Sequence, residues 1–157
     1  MTIAIASPTM LDILALCDDA RPDEIAQYEA LTGLEWQLDF VASSMFNKGG
    51  AKFVFLDGDM PFCVGGWEPV IDGVYQSWMV GTLANWEKYW RSITKLSRQT
   101  MAFMFEQGAR RLQVCVDTKR TKTCEWYVRG LKLELECVMH GFGINDEDVA
   151  MYVKFRE

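Results

Sequence analysis

Histidine is nearly absent, with one in 157 residues, and proline is sparse at four. The single histidine lies at a strand end in Met139-His140-Gly141-Phe142-Gly143, with no serine, cysteine or carboxylate placed to make it part of a catalytic set. The five cysteines, Cys17, Cys63, Cys115, Cys124 and Cys137, are odd in number and scattered, with no Cys-x-x-Cys pair. That excludes a disulfide framework and a zinc module, and leaves reduced thiols packed as small core residues in a cytosol. No metal site is expected. Positive charge is also in deficit, 16 Lys+Arg against 22 Asp+Glu, which excludes broad attraction to nucleic acid or anionic membrane. No apolar run approaches the roughly 20 residues of a membrane span. The apolar start, Met1 to Cys17, lacks a basic n-region and is broken by Pro8 and Asp12, so no export signal is read.

Large apolar side chains are abundant: 50% of residues are hydrophobic, with six Trp, nine Phe and nine Met. Without repeat, low-complexity segment or linker, the reading is one domain over residues 1–157. Thr2 to Ala6 reads as a short strand, and Ser7-Pro8 opens a helix through about Cys17. Pro22, acidic Asp23 and Glu24, and Gly33 mark both ends of a second helix. A third carries Trp36, Phe40 and Val41. Three antiparallel strands follow: Lys52 to Leu56, Pro61 to Trp67 (whose Gly65-Gly66 signals a bulge or a close approach), and Val74 to Val80. Trp86, Tyr89, Trp90, Ile93, Leu96, Thr100, Met101 and Met104 keep one face of a long helix from Asn85 to Gln107, ended by Gly108. Leu112 to Val116 reads as a strand covered on both faces, Thr121 to Arg129 as a helix ended by Gly130, and Leu131 to Met139 and Val149 to Phe155 as closing strands.

This order, with Gly108-Ala109-Arg110-Arg111-Leu112-Gln113-Val114-Cys115-Val116 and Trp126-Tyr127-Val128-Arg129-Gly130-Leu131, resembles the GNAT acyltransferase superfamily. The resemblance implies an α+β fold in α/β/α layers. A mixed, mostly antiparallel twisted sheet would carry helices on both faces and extra N-terminal helices. Tyr127 stands where the family often places its general acid. Asp23-Glu24-Ile25 to Gly33, the Asp57-Gly58 turn into Gly65-Gly66, Trp78 to Thr82 and the Arg-containing long helix further resemble the GNAT-like proteins of short-tailed phages. That group implies a virion component, or a factor meeting a host protein in the infected bacterial cytoplasm.

The chemistry departs from the family. Its members hold the acyl-CoA pyrophosphate on backbone N–H groups at the start of the long helix, using an Arg/Gln-x-x-Gly-x-Gly/Ala loop. Here the segment is Gly81-Thr82-Leu83-Ala84-Asn85-Trp86-Glu87, with no second glycine and with Glu87 expected in the first helical turn. Val80, Gly81, Thr82 and Asn85 are therefore cofactor contacts only in the alternative that acetyl-CoA binds; the leading expectation is no cofactor. The strand Val74 to Val80 has no carboxylate to serve as base, Glu68 and Asp72 lying outside it. After Val116, Asp117 stands where the family often has an Asn. Trp67, Trp78, Trp86 and Trp90 are expected to plug the cleft. Lys119-Arg120-Thr121-Lys122, placed beside Arg110-Arg111 and near Lys95 and Arg98, forms a basic corner that either meets a phosphate or an acidic partner or is a solvated loop. Three functions remain open: a partner-binding phage protein without acyl-CoA chemistry, an active N-acetyltransferase using Tyr127, or a host-protein inhibitor.

Overall fold

The computed structural model describes residues 1–157. The elements run β1 (Ile3–Ala6), α1 (Met10–Asp18), α2 (Pro22–Thr32), α3 (Leu38–Phe46), β2 (Ala51–Asp57), β3 (Met60–Ile71), β4 (Val74–Gly81), α4 (Leu83–Glu106), β5 (Arg111–Asp117), α5 (Thr121–Arg129), β6 (Glu134–Met139) and β7 (Val149–Phe155). The seven strands form one sheet in the order β1-β2-β3-β4-β5-β7-β6. Every pairing is antiparallel except β4 with β5, which the chain joins through the α4 crossover. Period-two alternation places successive residues on opposite faces. Val54, Val64 and Val80 pack with Ile13, Leu16, Val41 and Met45 of α1 and α3. Phe55, Phe62 and Cys63 meet Tyr89, Ile93 and Leu96 of α4. Leu112, Val114, Val116 and Tyr152 meet Met101 and Met104, with Trp126 and Tyr127 of α5 packed alongside. The α/β/α layering and the three N-terminal helices follow the expectation.

Several boundaries move for local reasons. Helix α1 begins two residues late, because Thr9 and Asp12 form a reciprocal capping box and leave Ser7-Pro8 outside it. Pro22 opens α2 and Gly33, at φ 69°, closes it as expected. Helix α4 starts at Leu83, capped by the Thr82 hydroxyl on the Asn85 N–H at 3.0 Å. Glu87 consequently lies beyond the first turn. The Gly65-Gly66 pair keeps its register with β2 and β4; it serves close approach, since a side chain on Gly66 would strike the Trp78 ring. Strand β5 buries only Leu112, Val114 and Val116, its other face being half-buried, so the two-sided cover expected for it is not there. Strand β6 begins at Glu134, because Leu131 to Leu133 fold back under α5, where the Leu133 N–H donates to the Tyr127 carbonyl.

Candidate functional site

Strands β4 and β5 pair only at Val74 to Gln76 against Arg111 to Gln113. Beyond Gln76 they diverge, and a V opens between the end of β4 and the end of β5. Diverging strands expose backbone donors and acceptors that must be satisfied. Helix α2 lies across the mouth and supplies partners to both lips. On the β4 lip, Glu24 Oε2 accepts the Gly81 N–H at 3.1 Å, and the Arg21 N–H donates to the Gly81 carbonyl at 3.3 Å. On the β5 lip, Gln27 Oε1 accepts the Asp117 N–H at 3.1 Å and Gln27 Nε2 donates to the Cys115 carbonyl at 3.4 Å.

Glu24 is 7% exposed. Its Oε1 takes Arg21 Nη2 at 2.7 Å and Nε at 3.1 Å. Burial pushes the Glu24 carboxyl above its ordinary value, while the Arg21 guanidinium and the Gly81 N–H pull against that rise. The Arg21 guanidinium lies 4.5 Å from the centre of the Trp86 ring, a cation–π contact. Trp86 meets Trp126 edge-on at 5.0 Å and 87°, and Trp126 Nε1 donates to Thr94 Oγ1 at 2.8 Å. A Cβ on Gly81 would stand 3.0 Å from Trp86 Nε1, so a side chain there would push the indole off β4 by a few tenths of an ångström. Carboxylate, guanidinium and two indoles thus converge on the end of β4.

On the α4 and α5 side of the sheet the V narrows to a space of about 30 Å³ beside Trp67, Ser97, Thr100, Trp126 and Tyr127. That is room for about one water molecule. Trp67 Nε1 donates to Thr100 Oγ1 at 3.2 Å and is buried with it. On the α2 and α3 side there is a cavity of about 420 Å³, walled by Tyr28, Trp36, Phe40, Met45, Trp78 and Met79. Tyr28 and Trp36 meet edge-on at 5.2 Å. The carboxylates of that cavity are Glu24, held by Arg21, and Glu68, held by Lys48 Nζ at 2.9 Å.

The plug expected from Trp67, Trp78, Trp86 and Trp90 is differently composed. Trp67 and Trp86 fill the α4 side, and Trp126 joins them. Trp78 packs with the α1 and α3 core, and Trp90 is 49% exposed with Arg91 stacked on it. Val80 is buried, Gly81 is held by Glu24, Thr82 is the helix cap and Asn85 bonds to that cap. Tyr127 is partly buried among Trp126 and Tyr152 and makes no hydrogen bond through its hydroxyl. Desolvation pushes that phenol up to about 12.

The basic corner does not assemble. Arg110-Arg111 precede β5 and Lys119-Arg120 follow it, and a seven-residue strand separates its two ends by about 20 Å. Arg111 is held bidentately by Glu136 at 2.7 Å. Arg110 Nη2 lies on the Asp72 carbonyl at 3.3 Å. The Arg120 side chain is 7% exposed and held by Asp23 at 2.8 Å and Gln27 at 2.9 Å, tying α5 to α2. Lys119 and Lys122 remain exposed at the start of α5. His140 is exposed with Asp148 at 3.2 Å, and no cluster of ligands suited to a metal is present.

Seven strands in this order, one parallel contact opening into a V, and the long crossover helix from β4 to β5 decide the fold. The chain has the GNAT acetyltransferase fold. It superposes on an N-acetyltransferase from Staphylococcus aureus Mu50 with a TM-score of 0.74 at 13% identity, covering 99% of each chain. Against the ribosomal-protein-alanine N-acetyltransferase from Brucella melitensis the TM-score is 0.76 at 11% identity, covering 98% of this chain and 99% of that one. Against a GNAT superfamily phosphinothricin acetyltransferase from Sinorhizobium meliloti in complex with AcCoA it is 0.70 at 14% identity, with 99% and 89% covered. No family model and no curated protein sequence matches the chain. Within this GNAT fold the β4 to α4 connection is the single residue Thr82, the Gly81 N–H is committed to Glu24, and the Asn85 N–H is committed to the Thr82 hydroxyl. No helix is long and apolar enough to cross a membrane.

Proposed function

We propose that this GNAT-fold chain works by binding a protein partner and does not carry out acyl-CoA chemistry. The observation behind it is the Glu24 carboxylate on the Gly81 N–H. It replaces an external anion with an internal one that already has its cation in Arg21. The resemblance to GNAT-like proteins of short-tailed phages supplies the setting: a virion component, or a factor that holds a host protein in the infected cell. Mass spectrometry of purified particles separates these two, since a host-directed inhibitor is absent from virions.

Calorimetric titration with acetyl-CoA tests the reading. No heat of binding is expected at millimolar ligand, and binding in the micromolar range overturns it. The second reading, an N-acetyltransferase, draws on Tyr127, whose raised pKa of about 12 keeps the phenol protonated at neutral pH, as a proton donor must be. Under the binding reading Tyr127→Phe changes stability by no more than about 1 kcal/mol. Under the enzyme reading it abolishes acetyl transfer to a protein amine.

A further inference from the structure

The sheet ends in two free edges, β1 and β6. Strand β6 is protected in the ways that edges usually are: Glu134 and Glu136 place charge on it, and its pairing with β7 shifts between Leu135 and Cys137. Strand β1 is Ile3-Ala4-Ile5-Ala6, with no charge, no proline and an unbroken register with β2. Its hydrogen-bond phase follows from the turn: the Gly58 N–H donates to the Thr2 carbonyl at 2.8 Å, so Thr2 and Gly58 form a bonded pair. Antiparallel pairs alternate, so Ala4 and Ala6 bond inward to β2, while the N–H and C=O groups of Ile3 and Ile5 point outward. No strand lies beyond them.

The Ile3 side chain packs on the α4 cluster of Tyr89, Ile93 and Leu96, which puts Ile3 and Ile5 on the helix side of the sheet. Between β1 and α4 runs a groove of about 360 Å³. Ile3, Ile5 and Leu96 floor it, and Ser92, Lys95 and Gln99 form its wall. Lys95 is exposed and forms no ion pair, and Lys88 lies one turn before Ser92 on the same stripe. No acidic residue lines the groove, although the chain carries a net charge of -6.

We propose that β1 and this groove take an extended segment of a partner protein by strand addition, the segment bearing apolar side chains at alternate positions and a carboxylate that reaches Lys95. The outward N–H and C=O groups of Ile3 and Ile5 supply the ladder. The floor takes the apolar side chains, and the uncompensated Lys95 selects the acidic one. The site lies away from the V, and the proposal stands whether or not the V holds a ligand.

The test uses the full chain and a synthetic peptide, acetyl-Thr-Val-Thr-Val-Thr-Glu-Thr-amide, whose Val and Glu side chains share one face. On binding, amide exchange at Ile3 and Ile5 slows, while Ala4 and Ala6 are protected with or without peptide. Ile5→Pro removes an outward N–H and none that bonds β2, so it keeps the fold and weakens binding about tenfold. Lys95→Glu weakens it by a similar factor, and a peptide N-methylated at alternate residues does not bind. Three results overturn the proposal: no binding at millimolar peptide, equal binding by the N-methylated peptide, or equal binding by folded Ile5→Pro. Light scattering that shows a dimer dissolved by Ile5→Pro also overturns it, because the edge then serves a second copy of this chain.

Discussion

The two sides of the split sheet differ by an order of magnitude in the space they leave, about 30 Å³ under α4 and α5 against about 420 Å³ under α2 and α3. The same divergence of β4 from β5 creates both. On the first side three indoles, two of them anchored to threonine hydroxyls of α4, close the space. On the second, the aromatic residues line a wall without filling it. Close-packed interiors rarely leave voids of that size, and a cavity of 300–1,000 Å³ with an aromatic lining is the usual form of a ligand site. The difference teaches that loss of one ligand position need not empty the fold of binding capacity. On the proposed reading the anion position is sealed by the chain's own carboxylate, and the opposite side stays open.

Removing the seal gives the largest effect. Glu24→Ala leaves Arg21 without its carboxylate and the Gly81 N–H without an acceptor, so urea unfolding should show a loss of about 3–5 kcal/mol. Trp86→Ala should cost about 3 kcal/mol and still produce no calorimetric signal with acetyl-CoA, because the Gly81 N–H stays on Glu24. A micromolar signal from that variant would mean that the indoles, and not the carboxylate, exclude the cofactor. Trp67→Phe, which loses the bond to Thr100 and leaves part of the indole volume unfilled, should cost about 2 kcal/mol in the same assay.

On the open side the expected costs are small. Phe40 is 54% exposed, so Phe40→Glu should shift stability within about 0.5 kcal/mol while abolishing fluorescence enhancement of an apolar dye bound in the cavity. Thiol labelling ranks the two sides as well. Exposed Cys137 reacts first and Cys115, on the cavity wall, next; Cys17 and Cys63 react last, because burial pushes the Cys17 thiol up to about 12 and that of Cys63 further. The smallest effect is on pH. Burial raises the Asp23 carboxyl, but Arg120, Arg21 and a backbone N–H together outweigh it and hold the group below its ordinary value of 3.8. A depressed carboxylate adds stability above that value and loses it as pH falls through the folded pKa. The tie between α2 and α5 should therefore loosen only in strong acid, and Asp23→Asn should flatten the acid limb of a near-ultraviolet dichroism titration.

The succession of helices and strands along the chain was legible in the residues because it depends on local chemistry: Pro22 and Gly33 bound α2, and the apolar stripe from Tyr89 to Met104 marks α4. The seal was not. Asp23-Glu24 after Pro22 reads as ordinary acid at a helix start, and nothing local says that Glu24 is buried against a glycine 57 residues away. The missing pyrophosphate glycine was readable; its replacement was not. Arg110-Arg111 and Lys119-Arg120 were read as neighbours, but the strand between Arg111 and Asp117 is long enough to hold its ends apart. Trp126 was overlooked in the plug because its helix lies on the far side of the β5 turn in sequence and next to Trp86 only in space.

The three residue pairs that join β4 to β5 are the only ladder between a four-strand leaf, β1 to β4, and a three-strand leaf, β5, β7 and β6. Each leaf is stitched by antiparallel neighbours, whereas their junction waits on the whole length of α4. Assembly should follow that division: the leaves gain protection in pulsed hydrogen exchange as two units, and the parallel junction is the last to form, since its three residue pairs offer the least ladder to offset the closure of the chain between them. Native opening should run in reverse, with the α2 bonds of Glu24 and Gln27 across the V acting as the latch that sets its rate.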